Sequence, residues 1–339
     1  MTKLTYDSKK RLKRAVFANG SQMANIHDAS GKKGTRLIVP NFVASSPIFN
    51  GYRFSLSSSS PVPASDILSA TSGYLVPFTS DCMTLLNSSN ALFTNSSDGG
   101  AISLSFSSFL AGHVYRIFAS DPSESGTTSL SATAWTSITN PGTALALEEA
   151  APGGFLVLQS NPTLRYVADV FCNTTNGQVN DALKDRGVFN VNNKVSRRCA
   201  AIDPGPSSWA VGVGNTQTRD NNTTEGVGRF GVLIGSATDA MVLSMDGECN
   251  STSPPSLASY QFGFAVDATN TFTRSQIVTA DGQGVTGQGT GFSALWTYQP
   301  AIGRHYFQAM EGAIGSGARN GVSVNPNSPE TVLEAYVSI

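Results

Sequence analysis

Tyr52-Arg53-Phe54-Ser55-Leu56 alternates large apolar and polar residues with a period of two. That is the pattern of a strand with one face in a core and the other in water. The alternation returns at Ala101–Phe106 and at His113–Phe118. Phe155–Gln159, after Pro152-Gly153-Gly154, and Leu164–Phe171, after Asn161-Pro162, extend the series. Upstream, Leu37–Val39 and Phe42–Val43 read as a first strand broken at Pro40. Downstream, Arg229–Ile234, Ala240–Met245, Tyr260–Val266, Ser275–Thr279, Phe292–Tyr298, Gly303–Glu311 and Thr331–Ile339 carry it to the end. Between them lie loop signals such as Ser57–Ser60 with Pro61 and Pro63, Asp203-Pro204-Gly205-Pro206 and Ser253-Pro254-Pro255. Many short strands with such punctuation indicate an all-β sandwich or barrel. In the body from Arg36 onward only Ala144–Ala150 and Val179–Arg186 read as a turn or two of helix, and no repeat of fixed period is present.

Charged residues make up 13 % of the 339 residues, about half the usual share. A polar, weakly charged surface suits a protein that meets copies of itself, because interface cores are depleted in charge. It suits an adhesive or secreted β protein equally well. No stretch approaches the roughly 18 to 20 apolar residues of a membrane span, so no membrane insertion is expected. The charged start of the chain is followed by no apolar signal segment. A cytosolic site of synthesis follows, and the Asn-x-Ser/Thr matches at Asn87, Asn95, Asn173, Asn222 and Asn250 are expected to stay unmodified. Cys82, Cys172, Cys199 and Cys249 are widely spaced and read as buried free thiols.

The net charge of −1 hides an asymmetry. Residues 1–36 hold nine basic and two acidic residues, a net of +7, and the remaining chain holds 13 basic and 21 acidic. Cations that neutralise phosphates release condensed counterions, which drives binding to nucleic acid without regard to sequence. Lys9, Lys10, Arg11, Lys13, Arg14, Lys32, Lys33 and Arg36 are therefore the candidate nucleic-acid-binding residues. The other readings of this arm are a solvated tail, or a short charged helix from about Ser8 to Ala18. Only Tyr6 and Phe17 interleave aromatic character, so base stacking is not indicated.

Catalytic and metal chemistry find little support. The glycine-dense Asp281–Gly291 lacks the G-x-G-x-x-G spacing and the following helix of a dinucleotide site. His27, His113 and His305 accompany no nucleophile elbow and no metal motif. Glu148 and Glu149 are adjacent and point apart, so they do not form a glycosidase pair. Asp220, Glu225, Asp239 and Asp246 could supply an inter-subunit Ca²⁺ site, but no ligand spacing specifies one. No enzyme, cofactor or resident metal is expected.

The order of features resembles the coat proteins of small icosahedral positive-strand RNA viruses, nodavirus-like and tombusvirus-like ones especially. The resemblance rests on Lys9–Arg14 with Lys32–Arg36, the strand series from Leu37, and Ala301–Glu311 near the end. It implies a basic arm (1–36) before an eight-stranded jelly-roll shell domain (37–339, with a C-terminal extension or subdomain from about 280). It also implies an icosahedral shell of identical subunits around packaged RNA, assembled in a host cytoplasm and carried in the virion, with a host receptor that no motif identifies. Some nodavirus-like coats cleave themselves at a C-terminal Asn-Ala bond. The only Asn-Ala here is Asn90-Ala91, so no such cleavage is expected. The alternative is a phage tail-fibre or spike protein that binds a receptor, in which the basic arm has no obvious role.

Overall fold

A computed structural model describes residues 3–6, 12–16, 22–27, 33–38, 50–96, 100–150, 154–203, 216–218, 223–236, 240–250, 258–280, 289–314 and 331–339. Among these the chain is all β, apart from one 3-10 turn at Thr143–Leu145.

Eight strands of the C-terminal half form a jelly roll. In chain order, and numbered one to eight, they are Ser196–Asp203, Arg229–Ile234, Met241–Asn250, Ala258–Val266, Arg274–Ala280, Gly289–Tyr298, Gly303–Ile314 and Thr331–Ser338. They pair antiparallel into a sheet of order 1-8-3-6 and a sheet of order 5-4-7-2. Successive strands thus cross repeatedly between two packed sheets, the double-sheet solution to protecting strand edges. Period-two patterning builds the core between them. Leu333, Ala335 and Val337 of strand 8 point in, as do Leu243 and Met245 of strand 3. They meet Phe230, Phe262, Phe264 and Phe307 of the other sheet. Aromatic contacts cross the gap, with Phe262 and Phe292 centroids 4.1 Å apart and Phe264 edge-on to Trp296 at 5.5 Å. Strands 6, 7 and 8 are integral to these sheets, so the C-terminal segment is part of the roll.

Residues 50–190 stack further sheets on the roll. One runs Ser129–Ala134, Val114–Ser120, Asn161–Phe171, Leu156–Leu158, Leu147–Glu149, and Val188–Asn190 also pairs with its long strand. Both faces of its two long strands are buried, over Val114–Ser120 and Arg165–Phe171. Tyr115, Ile117, Ala119 and Val170 pack on Phe54, Leu75 and Phe106, while Val114, Phe118, Tyr166 and Phe171 join the core of the roll. A β-bulge makes the second face: pairing shifts from Ile117↔Ala168 to Phe118↔Tyr166. Val167 is the extra residue, so Tyr166 and Asp169 share one face although three positions apart.

Asp169 is fully buried and sits among donors. Arg116 Nε donates to Oδ1 at 3.1 Å, Trp135 Nε1 to the same oxygen at 3.1 Å, and the Tyr166 hydroxyl to Oδ2. Arg116 also donates to the Leu145 carbonyl at 3.0 Å and lies over the Tyr166 and Trp135 rings. Burial would lower the pKa of Arg116, but the Asp169 charge outweighs it and the guanidinium is held above its usual range. Burial and the same charge push the Tyr166 phenol well up, which keeps its proton available to donate. Gly235 closes the site: a Cβ there would stand 2.3 Å from Asp169 Oδ2 and 2.4 Å from Phe189.

Three expectations need correction. Val179–Arg186 is not helical. It is a hairpin of Val179–Ala182 and Asp185–Arg186, in which Arg186 donates to Asp181 at 3.1 Å. Ala144–Ala150 is the 3-10 turn followed by strand Leu147–Glu149, so Glu148 and Glu149 are exposed strand residues. The suggested Ser8–Ala18 helix is a strand at Leu12–Val16. Cys82, Cys172 and Cys199 are free thiols, with Cys199 pushed up to about 12 by burial.

Arg116→Met leaves the Asp169 carboxylate buried without its cation. It is expected to lower unfolding stability by about 3–5 kcal/mol in urea titrations. A loss under about 0.5 kcal/mol, the scatter of ordinary surface changes, would count against this network as the anchor of the central sheet.

Candidate functional site

Three features bear on function. The first is the basic segment. Lys3–Tyr6, Leu12–Val16, Gln22–His27 and Lys33–Ile38 form a four-stranded antiparallel sheet in sequence order. Of the predicted nucleic-acid residues, Lys13 and Arg14 fall on its second strand, and Lys33 and Arg36 on its fourth. Lys9, Lys10, Arg11 and Lys32 lie outside the described residues. Arg14 and Arg36 both pair with Ala24, so they share one line across the sheet, two strand spacings or about 10 Å apart.

The second feature is the outer face of the 1-8-3-6 sheet. Val242 pairs with Tyr336, and Ser244 with both Leu295 and Glu334. Leu295 is 71 % exposed, Tyr336 50 % and Val242 43 %. A sheet face turned to solvent alternates to polar residues; this one presents three large apolar side chains close together. Arg198 Nε donates to Glu334 at 2.6 Å beside them. The period-two pattern assigned these positions to the outside but did not mark the face as apolar.

The third is a cleft where the outer face of the 5-4-7-2 sheet meets residues 50–190. Arg304 and Tyr306 of strand 7 and Arg229 of strand 2 lie on this face. Register sets Gly231 opposite Tyr306. The missing side chain lets the Arg304 guanidinium lie there, since a Cβ on Gly231 would stand 1.9 Å from its Nη2. Arg304 is 2 % exposed, and its Nη2 donates to Asp185 Oδ1 at 2.6 Å and to Glu225 Oε1 at 3.3 Å. The guanidinium also lies 4.8 Å from both the Phe171 and Tyr306 rings, and Arg229 lies 4.4 Å from Tyr306. Burial and the Asp185 charge raise Glu225 above the usual carboxylate range. Burial raises Asp267 too, but hydrogen bonds from His305 Nδ1 (2.7 Å) and the Tyr306 amide (2.8 Å) win and hold it below that range. Two cavities of about 330 Å³ open on this cleft, and Arg304, Tyr306 and Ile138 line both.

No sequence motif marks this cleft. Asp185 and Glu225 stand 119 and 79 residues before Arg304, and no local motif joins them. His305 was read as structural, and its two ring nitrogens engage Asp267 and the Ala301 carbonyl. His113 is exposed, with Nδ1 3.0 Å from the Ala111 carbonyl. Of the residues weighed for Ca²⁺, Asp220 and Asp239 lie outside the described residues. Glu225 faces Arg304, Asp246 stands on strand 3, and no acidic cluster suited to a metal occurs among the described residues.

No family model and no curated protein matches the chain. Solved structures similar to it include a tryptic core variant of Cry1Da from Bacillus thuringiensis, at 9 % identity over 87 % of this chain and 54 % of that one, TM-score 0.20. The insecticidal delta-endotoxin Cry8Ea1 from the same organism is similar at 10 % identity over 93 % and 58 %, TM-score 0.21. The exo-β-1,3-galactanase of Phanerochaete chrysosporium is similar at 10 % identity over 98 % and 80 %, TM-score 0.16. The chain spans little more than half the length of the two toxin chains. At these TM-scores the likenesses carry no argument about function.

Gly231→Ala is expected to displace the Arg304 guanidinium from Asp185 and to cost about 1–3 kcal/mol of stability, as overpacking does. Thermal unfolding of the variant measures this, and an unchanged midpoint would contradict the packing described.

Proposed function

We propose that this chain is a coat-protein subunit, which assembles with copies of itself into a closed icosahedral shell and holds packaged RNA through its basic N-terminal segment. The observation that carries the reading is the apolar cluster of Val242, Leu295 and Tyr336 on the uncovered face of a jelly-roll sheet. Burying such side chains is worth about 1.5–3 kcal/mol each, and a patch of this kind marks an interaction surface. The jelly roll is one of the folds from which capsids are built. That is an analogy of fold, and function has to come from the surfaces. The low charge of the body favours contact between copies. The net +7 of residues 1–36 favours contact with phosphates, multiplied by the number of subunits facing one enclosed polymer. Lys13, Arg14, Lys33 and Arg36 lie on paired strands, so their spacing is set by register and not by a free tail.

Electron microscopy of the purified chain, with nuclease treatment of the same fraction, tests this. Uniform closed particles with nuclease-protected RNA are expected, and removing residues 1–36 should abolish the protected RNA. Elongated trimers free of nucleic acid would overturn the reading in favour of a fibre or spike.

A further inference from the structure

Strand 5 of the roll, Arg274–Ala280, ends the 5-4-7-2 sheet, and among the described residues no strand pairs with its outer edge. The other end of that sheet is closed by Asp185–Arg186, which pairs with strand 2. Strand 1 is closed as well: Ala200 and Ile202 donate their amides to the Leu183 and Gly226 carbonyls, both at 2.9 Å. Strand 6 is a second open edge, but Phe292 and Ala294 hold it in the core. In strand 5, Arg274, Ser275, Gln276 and Ile277 are exposed one after another, Ile277 to 56 %. An open edge is a template for another strand, and chains that stay single blunt it with Lys, Pro or a bulge. Strand 5 has none of these. It pairs with strand 4 in unbroken register and carries one charge, Arg274.

The direction of its free backbone groups follows from strand 4. The Phe264 carbonyl accepts from the Thr273 amide at 2.9 Å, and the Val266 amide donates to Thr273 Oγ1, whereas the Asp267 amide donates to the Tyr306 carbonyl of strand 7. Even-numbered residues of strand 4 thus address strand 5. Register sets Phe262 opposite Gln276 and Phe264 opposite Arg274, so Gln276 and Arg274 bond inward. Ser275, Ile277 and Thr279 alternate with them and turn their N–H and C=O groups to the open edge. We propose that strand 5 pairs antiparallel with strand 5 of a second copy, across a twofold axis at Ile277. That register puts Ile277 opposite its own copy and Ser275 opposite Thr279. All three outward residues then meet outward residues, with about six hydrogen bonds, two from each such pair. A pairing shifted by one residue would set outward residues against inward ones. Arg274 falls opposite Ala280 and away from the copy's Arg274, so no like charges meet. The contact is isologous, as a twofold interface requires. It stands on a different sheet from the apolar face that the assembly reading uses, so either interface can fail without the other.

Sedimentation velocity of Leu295→Lys, which leaves strand 5 untouched, and of Leu295→Lys with Ile277→Pro tests this. The first is expected to sediment as a dimer and the second as a monomer, its dimer affinity lower by about tenfold or more. The Ile277 amide points away from its own sheet, and proline is tolerated on such an edge, so the unfolding midpoint should stay near that of Leu295→Lys. Ile277→Cys gives a second readout. Paired across the axis, the two Cα atoms stand about 5.5 Å apart, within reach of a disulfide. An added mild oxidant should join two chains of that variant and leave Arg274→Cys, far from the axis, at the background of the native chain. A monomeric Leu295→Lys chain, a dimer that survives Ile277→Pro, or equal cross-linking of the two cysteine variants would overturn the proposal. Failure of the native chain to form closed particles, with the Ile277→Cys variant still joined, would sink the coat reading and keep this one.

Discussion

A carboxylate with no exposed surface has to be met by donors, because removing its charge from water costs several kcal/mol. Asp169 imposes that requirement on the middle of this molecule. Its donors come from Arg116 on the neighbouring strand, Trp135 just beyond the edge strand, and Tyr166 on its own strand. Much of the local geometry follows. The bulge at Val167 exists on the face where Tyr166 has to reach Asp169. The turn Thr143–Leu145 is tied down by the second hydrogen bond of Arg116. Gly235 is small because the end of roll strand 2 passes against the carboxylate and Phe189. The Asp169 contacts thereby tie the central sheet to its own edge and to the Thr143–Leu145 turn, while Val114, Phe118 and Phe171 pack into the core of the roll and the other face packs on Phe54, Leu75 and Phe106, with Asn190 hydrogen-bonded to the Phe54 backbone.

The two sheets of the roll end up in different circumstances. The outer face of 5-4-7-2 is covered where Phe171 and Asp185 lie over Arg304. The outer face of 1-8-3-6 carries Val242, Leu295 and Tyr336 in the open. This asymmetry separates two roles. The covered face encloses a polar cleft, whose arginines are stacked and partly neutralised. The open face offers apolar area to another molecule, and a second copy of the chain is the proposed occupant.

The roll was largely legible in the sequence. Arg229–Ile234 has the bounds the sequence predicts, and strands 3 to 8 lie within a few residues of theirs; the period of two is cleanest in strands 3 and 8, which keep one face in the core, whereas strands 2 and 7 are buried on both faces and Ser196–Asp203 carries no such signal. The fold around residues 50–190 was harder to read, for a physical reason. In Tyr52–Leu56 the alternation places the polar positions in water. Arg53 is instead 5 % exposed, donating to the Pro61 and Asn193 carbonyls, with its pKa lowered to about 10 by burial. Arg116 and Arg165 are buried in the same way. An alternating pattern marks which residues differ, not whether the polar ones are solvated, so a sheet buried on both faces looked half-exposed. The helix expectations failed at Ala144–Ala150 and Val179–Arg186 because tertiary pairing overrides local propensity: Ala150 donates to the Phe155 carbonyl and Asp185 pairs with Arg304. The Arg304 cleft leaves no local sequence signal because its members are brought together only by tertiary pairing.

Self-association through the open sheet face is the central claim, and sedimentation velocity of the native chain beside Leu295→Lys tests it most directly. Leu295 is largely solvated in the single chain, so its replacement should leave the unfolding midpoint nearly unchanged. The account expects the native chain to sediment as large, uniform particles and the variant as small species. A variant that assembles as the native chain does, or a native chain that stays monomeric, would contradict it.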